Sequence, residues 1–453
     1  MPRPERELAR KRRFLPWVGF VVLLLLAQVW LQARQPLPYM DELYHIPAAN
    51  AVCCRVVSVA CEQNKLSVEW GRITTPPGAY YFGCPLCLLW RVWRYATCPP
   101  WLWRLAVGTI PLALATRELM LFPGMSAEEA ITLATFLPLF FSSLLCYTDT
   151  LAFMLYVRAW RQQRGQHPTS PLQSAVFGML ASLTRQSYIV WHTFLGLTAL
   201  GAAASTTAQL EIIFAHGTAG LAYVAFFVWH VLIKGGSIYL GDAERHGLST
   251  HWSNCLYFVT TWFILAGGWR ALFLQSAGNS SVGKYLAVRA EAIRQSWRRF
   301  ICLTTVAAIA VRRGTCIHPF VLADNRHYVF YFFRYFIIPG NLRRYTLVPL
   351  YAVSMACWLS HLRSTGRMER LLLFSATALT LVPSRLVEPR YFIPPVVATE
   401  LLAAQRQRRT LSTIRMILNL LLAFVCLWFF LERPFERTPD LHISDPSPGR
   451  FMP

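Results

Sequence analysis

The chain has 453 residues, of which 55% are hydrophobic, 14% aromatic and only 15% charged, and its mean hydropathy is +0.37. That balance excludes an ordinary soluble domain of this length and makes a bilayer the natural solvent. The formal net charge of +22 would suit nucleic acid, but the basic residues fall in short blocks between apolar runs. These are Lys11–Arg13, Arg158–Arg164, Arg294–Arg299, Arg363–Arg370 and Arg406–Arg409, the spacing that the positive-inside rule leaves on cytoplasmic loops, so no nucleic-acid partner is expected.

In chain order, a basic cytoplasmic segment, 1–13, precedes a first apolar helix over Phe14–Ala33. The run exceeds the usual signal-peptide core and ends without a small-residue cleavage site, which predicts an anchor. A polar loop follows over 34–77 on the far side of the membrane. The apolar stretch 78–93 either crosses or lies on that far surface with Arg91 and Arg94 snorkelling; the surface option fixes the parity of every later crossing. Crossings are then expected near 101–119, 127–146, 148–160, 171–184, 188–204, 214–233, 257–275, 300–311, 345–361, 371–384, 391–405 and 411–431, about thirteen in all with the first. The 28 prolines point to short, broken helices. The sequence thus reads as one membrane domain over 14–431, without internal repeats, and a polar tail over 432–453. Among the twelve cysteines, Cys53, Cys54, Cys61, Cys84 and Cys87 are positioned to pair in an oxidising lumen, with unreadable connectivity. The Asn279-Ser280-Ser281 sequon falls in a basic loop and is expected to be cytoplasmic and unused.

With this parity the polar clusters all fall on the face opposite the basic loops: Asp41-Glu42, Tyr147-Thr148-Asp149, Arg185-Gln186, Gly241–His246, His318–Tyr328 and Glu388–Tyr391. A common face implies a common site. In Tyr39–Pro47, two adjacent carboxylates stand near His45. One of them suits deprotonation of a hydroxyl; a helix N-cap with solvated charges is the other reading. Glu69–Gly78 supplies Arg72, Thr74 and Thr75 in a Pro-stiffened turn, either a wall of a sugar site or a rigid approach to the next apolar segment. Arg185-Gln186 interrupts an apolar stretch, where an ionisable group is costly and a functional partner is the default expectation. His318, Asp324, Asn325, Arg326, His327 and Tyr328, with Glu388, Arg390 and Tyr391, add groups of the kind that bind phosphate oxygens. No Gly-rich phosphate loop, Asp-x-Asp signature or metal-ligand spacing is present. The expectation is a lipid-borne donor, with no cofactor and no metal.

These motifs, in this order and over essentially the whole chain, resemble the eukaryotic dolichyl-phosphate-glucose-dependent alpha-1,2-glucosyltransferases. Those enzymes add the last glucose to the lipid-linked oligosaccharide for protein N-glycosylation. The resemblance rests on Met40–Pro47, Ile73–Gly78, Tyr147–Asp149, Arg185-Gln186, His318–Tyr331, Glu388–Phe392 and Arg450–Met452. It implies an all-α, polytopic GT-C type fold of about 12–13 membrane helices in the endoplasmic reticulum, with a luminal catalytic loop after the first helix. It also implies an inverting reaction between dolichyl phosphate glucose and a dolichyl-diphosphate-linked oligosaccharide. Asp41 would take the proton of the acceptor glucose 2-hydroxyl, with Glu42 as alternative base or orienter. Arg185, His318, Arg326, His327 and Arg390 would bind phosphate. His45, Arg72, Thr74, Thr75, Asp149, Gln186, Asp324, Asn325, Tyr328, Glu388 and Tyr391 would contact substrate. A transporter would show inverted repeats, which the sequence lacks. An inactive scaffold would lack the acidic pair, which is present.

Overall fold

The computed structural model describes residues 3–57, 73–94, 97–164, 170–233, 247–272, 282–339, 341–404, 409–436 and 448–453. Arg72, Gly241–His246 and the Asn279 sequon lie outside these residues. Among the described residues the regular structure is helical, apart from two isolated bridges, Leu248 to Ser384 and Phe435 to Gly449, as the composition predicts.

The helices are α1 (Arg3–Arg34), α2 (Glu42–Val57), α3 (Gly78–Arg94), α4 (Pro100–Trp103), α5 (Ile110–Met120), α6 (Ala127–Ala134), α7 (Leu137–Leu144), α8 (Thr148–Arg164), α9 (Pro171–Thr184), α10 (Tyr188–Ala202), α11 (Thr206–Val228), α12 (Ser253–Leu265), α13 (Val282–Arg313), α14 (Pro319–Ala323), α15 (Tyr328–Phe332), α16 (Asn341–Tyr345), α17 (Val348–His361), α18 (Arg367–Leu381), α19 (Ile393–Ala403) and α20 (Arg409–Glu432). Two compact units result. The first takes Met1–His246 with Ala404–Met452, and the second Gly247–Ala403.

Local chemistry sets many of these boundaries. Ser126 accepts from the Glu129 N–H at 3.2 Å while the Glu129 carboxylate accepts from the Ser126 N–H at 2.9 Å, a capping box that starts α6. Ser170 caps α9 through the Leu172 N–H, with Pro171 in the first turn. Among the described residues, three helices are long and apolar enough to cross a bilayer: Phe14–Arg34, Thr206–Val228 and Ser412–Glu432. The pair α6 and α7, bent by 67°, makes a fourth path. Their outward side chains, among them Leu26, Val29, Phe214, Leu221 and Phe424, are exposed and apolar, which suits lipid.

Of the roughly thirteen expected crossings, these three helices and the bent pair are the ones of bilayer length among the described residues. The other apolar runs are helical, but α9, α10, α12, α17, α18 and α19 have only 14, 15, 13, 14, 15 and 11 residues. At 1.5 Å per residue such helices fall short of a hydrocarbon core of roughly 30 Å. Prolines account for several of the interruptions, since Pro138 and Pro349 stand in the first turns of α7 and α17 and Pro389 opens the 3₁₀ turn before α19.

The cysteine expectation also changes. Cys87 pairs with Cys98, which lies outside the five candidates and ties α3 to the approach of α4. Cys54 on α2 is disulfide-bonded as well, whereas Cys84 is a thiol and Cys53 lies with its sulfur 3.8 Å from the Cys84 carbonyl.

Candidate active site

In the first unit the linker between α1 and α2 carries the acidic pair. Met40 has φ +57°, the one left-handed residue other than glycine among those described. Strain of this kind persists only where surrounding contacts over-determine it. Immediately beyond it, the two carboxylates have opposite fates.

Glu42 is fully buried, and each of its oxygens accepts two hydrogen bonds. Arg104 donates from Nε to Oε1 at 2.9 Å and from Nη2 to Oε2 at 2.7 Å. The Cys146 N–H donates to Oε1 at 2.7 Å and the Tyr39 N–H to Oε2 at 2.9 Å. Arg104 is equally buried and also donates to the carbonyls of Gln35 and Leu37 at 2.7 and 2.8 Å. A carboxylate so filled has no lone pair left for a substrate hydroxyl.

Asp41 is half-buried. Its carbonyl starts α2 by accepting from the N–H groups of Tyr44 and His45 at 3.0 and 2.9 Å. The backbone at Asp41 thus plays the helix-starting part that the N-cap reading expected. The Tyr80 phenol lies within electrostatic range of Asp41, whose charge acts on it least among its neighbours. His45 Nδ1 is 2.6 Å from the Tyr80 hydroxyl, and its ring packs edge-on to Tyr147 with centroids 6.4 Å apart. Tyr80 reaches this position because Gly78 lets α3 lie directly on the end of α9: a Cβ there would stand 2.5 Å from the Leu183 carbonyl oxygen.

Asp149, in the first turn of α8, is buried and accepts from Arg185 Nη1 at 2.8 Å. Arg185 leaves the helical conformation at the end of α9, with φ −148° and ψ 120°. Gln186 borders a small open recess of about 10 Å³ lined by Pro76, Leu183, Ile189, Tyr223 and Phe227 among others. The first unit therefore holds Asp41, His45, Thr75, Asp149, Arg185 and Gln186, with His45 paired to Tyr80 and Asp149 to Arg185.

In the second unit Asp324 grips Arg326, with Nε to Oδ1 and Nη2 to Oδ2 both 2.8 Å. Arg390 Nη2 donates to Glu388 Oε2 at 2.8 Å. His327 lies within reach of all four charges; burial, opposed by Asp324 and Glu388, holds its imidazole below the ordinary range. Burial pushes the Asp324 carboxyl up, but the Arg326 hydrogen bonds and the His327 and Arg326 charges together bring it below its usual value. Asn325, Tyr328 and Tyr391 are half-buried on the same two segments, and His318 stands half-buried just ahead of α14. The expected clusters thus fall into two groups, one in each unit.

Sequence reasoning missed three features. Arg104 and Tyr80 complete the first group. A second buried cluster joins Glu400 to Arg270 at 2.7 Å, to Trp262 at 2.9 Å and to His361 at 3.3 Å. The signal for Arg104, Arg270 and Glu400 was available, since each interrupts an apolar run as Arg185 does.

Helical in its regular structure throughout the described residues, with three helices of bilayer length among them, the chain is a multi-pass membrane protein. Residues 35–213 and 198–401 match the sequence model of the DIE2/ALG10 family. The chain belongs to that family. It is 26% identical to a Drosophila melanogaster protein, over 93% of this chain and 97% of the relative. It is 27% identical to one from Arabidopsis thaliana, over 80% and 84%, and 24% identical to one from Homo sapiens, over 92% and 94%. All three are named Dol-P-Glc:Glc(2)Man(9)GlcNAc(2)-PP-Dol alpha-1,2-glucosyltransferase. Among solved structures, ArnT from Cupriavidus metallidurans bound to undecaprenyl phosphate overlays at a TM-score of 0.36 with 13% identity, over 88% of this chain and 77% of that one, too loosely to carry residue correspondences.

Proposed function

We propose that this protein transfers glucose from dolichyl phosphate glucose, in alpha-1,2 linkage, to the terminal glucose of a di-glucosylated dolichyl-diphosphate-linked oligosaccharide, with Asp41 as general base. The family membership and the names of the relatives support the substrates. The observation that carries the site is the division of labour in the acidic pair: Glu42 has every lone pair filled, whereas Asp41 is half-buried at the start of the helix that carries His45.

The acceptor 2-hydroxyl oxygen attacks the anomeric carbon while Asp41 accepts its proton. The bond from that carbon to the phosphate oxygen breaks, and dolichyl phosphate leaves as a stable anion, so no general acid is required. One in-line displacement converts a beta donor into an alpha product. His45, Thr75 and Tyr80 supply hydroxyl-binding partners for sugar. Arg185, oriented by Asp149, stabilises charge growing on the leaving phosphate. In the second unit, the Asp324–Tyr328 and Glu388–Tyr391 segments are the further candidates for phosphate and sugar contacts.

A luminal, endoplasmic-reticulum placement of Asp41 is part of the proposal. It is supported by the bonded Cys54 on α2, directly after this linker, and by the Cys87–Cys98 disulfide of the following α3, because disulfides persist in oxidising compartments. The test is an assay of the purified protein with the di-glucosylated acceptor and either dolichyl phosphate glucose or UDP-glucose as donor. Transfer from the lipid donor alone is expected; transfer from the nucleotide sugar would overturn the donor assignment.

A further inference from the structure

The Arg450-Phe451-Met452 motif has no part in the chemistry above, yet it is built into the linker that carries Asp41. Arg450 is 6% exposed and Met452 5%. The Phe435–Gly449 bridge and the Phe435–Phe451 ring contact, 4.6 Å between centroids, return this segment to the end of α20. There the Arg450 guanidinium caps two helices at once. Nη1 donates to the Phe430 and Leu431 carbonyls of α20, both at 2.8 Å, and Nη2 to the Arg34 carbonyl of α1 at 3.0 Å. These are helix-terminal carbonyls that lack intrahelical partners, where a cation is favoured. The two ends are tied further by Glu432, which accepts from Trp30 and Arg34, both at 2.9 Å.

From this cap a closed hydrogen-bond circuit surrounds the Met40–Asp41 turn. Arg450 Nε donates to the Gln35 side chain at 3.0 Å. The Gln35 carbonyl accepts from Arg104, Arg104 holds Glu42, and Glu42 accepts from the Tyr39 N–H. Tyr39 is fully buried, and its hydroxyl accepts from the Arg450 N–H at 2.9 Å and lies 3.3 Å from the Arg450 carbonyl. Asp41 is two residues beyond Tyr39, directly after the left-handed Met40.

We propose that Arg450 is a positioning residue for Asp41, acting through Tyr39 and Gln35, and that the 448–452 segment is thereby an obligatory part of the catalytic linker. The inference rests on Asp41 as general base. It also places that segment on the same side of the membrane as Asp41, since α1 and α20 end together beneath it.

The test is steady-state glucose transfer by the purified full-length chain. Arg450→Ala is expected to lower kcat about 100-fold, the scale of an ångström-sized misplacement, with KM for both substrates within about twofold. Tyr39→Phe, which keeps the ring against Phe430, is expected to lower kcat about tenfold, and Arg450→Lys to fall between the two. The decisive comparison is made in an Asp41→Asn background, where Arg450→Ala should cause no further loss because its effect passes through Asp41; damage elsewhere would multiply. Wild-type kcat in Tyr39→Phe and Arg450→Lys, or a fully multiplicative loss in the double variant, would overturn the proposal while leaving Asp41 as base. If Asp41→Asn retains activity, the base assignment itself fails and this inference with it. Should Arg450→Ala not fold, the other two variants decide alone.

Discussion

Replacing Arg104 with methionine tests the structural core of the site. The wild-type pair is wholly buried, so removing the guanidinium leaves the Glu42 carboxylate in place with two backbone donors instead of four. The carbonyls of Gln35 and Leu37 also lose their partners. Breaking a buried pair by removing one member costs about 3–5 kcal/mol, most of it the uncompensated charge. Arg104→Met is therefore expected to lower the melting temperature of the detergent-solubilised protein sharply and to abolish transfer, because the Met40–Asp41 turn loses its anchor. Arg104→Met combined with Glu42→Leu removes both charges and should recover a measurable part of the stability, but not the activity. Thermal unfolding followed by intrinsic tryptophan fluorescence reads the first effect and glucose transfer the second. If Arg104→Met alone melted and turned over like the wild type, Glu42 would not be the fixed, structural carboxylate described here.

Gly78→Ala places a methyl group 2.5 Å from the Leu183 carbonyl oxygen, so α3 must shift; a loss of about 1–3 kcal/mol in stability and a fall in transfer are expected from melting and activity measurements. Cys87→Ser with Cys98→Ser is expected to cost about 2–4 kcal/mol, and mild reductant should lower the melting temperature of the wild type more than that of this variant, which keeps the Cys54 disulfide. Burial holds His251, on the strap that pairs with Val382 and Pro383, down at about 4 from 6.5. Between those values the unfolded chain binds the extra proton, so stability should fall as pH drops from about 6.5 to about 4. His251→Gln should flatten that limb of the melting profile; an unchanged slope would count against it.

Much of the helical layout was legible because strong local signals mark it. Ser170-Pro171 opens α9 and the Arg185 break closes it, and the structure gives α9 as Pro171–Thr184, the range the pattern predicts. Hydropathy says less about whether an apolar run completes a crossing: the run at 127–146 becomes two helices bent by 67° at Thr135-Phe136. The acidic pair was legible as chemistry but not as roles, because adjacency in sequence gives no sign that a left-handed Met40 sends one carboxylate to Arg104 and leaves the other half-buried. Arg104 lies 62 residues from Glu42 in the chain, and no local pattern connects them. Cys98 escaped notice because it stands in a short turn apart from the five candidate cysteines. The Arg450 motif was visible as a resemblance, but its use as a cap for two helix ends emerges only once α1 and α20 are seen to finish together.

The central claim, that Asp41 takes the acceptor proton, is tested most directly by single-turnover glucose transfer in Asp41→Asn with saturating lipid-linked substrates. A loss of about 10²- to 10⁴-fold, the range for a general base, with melting temperature and donor binding unchanged, is the expected result. A rate within a few-fold of wild type would contradict it and require another base.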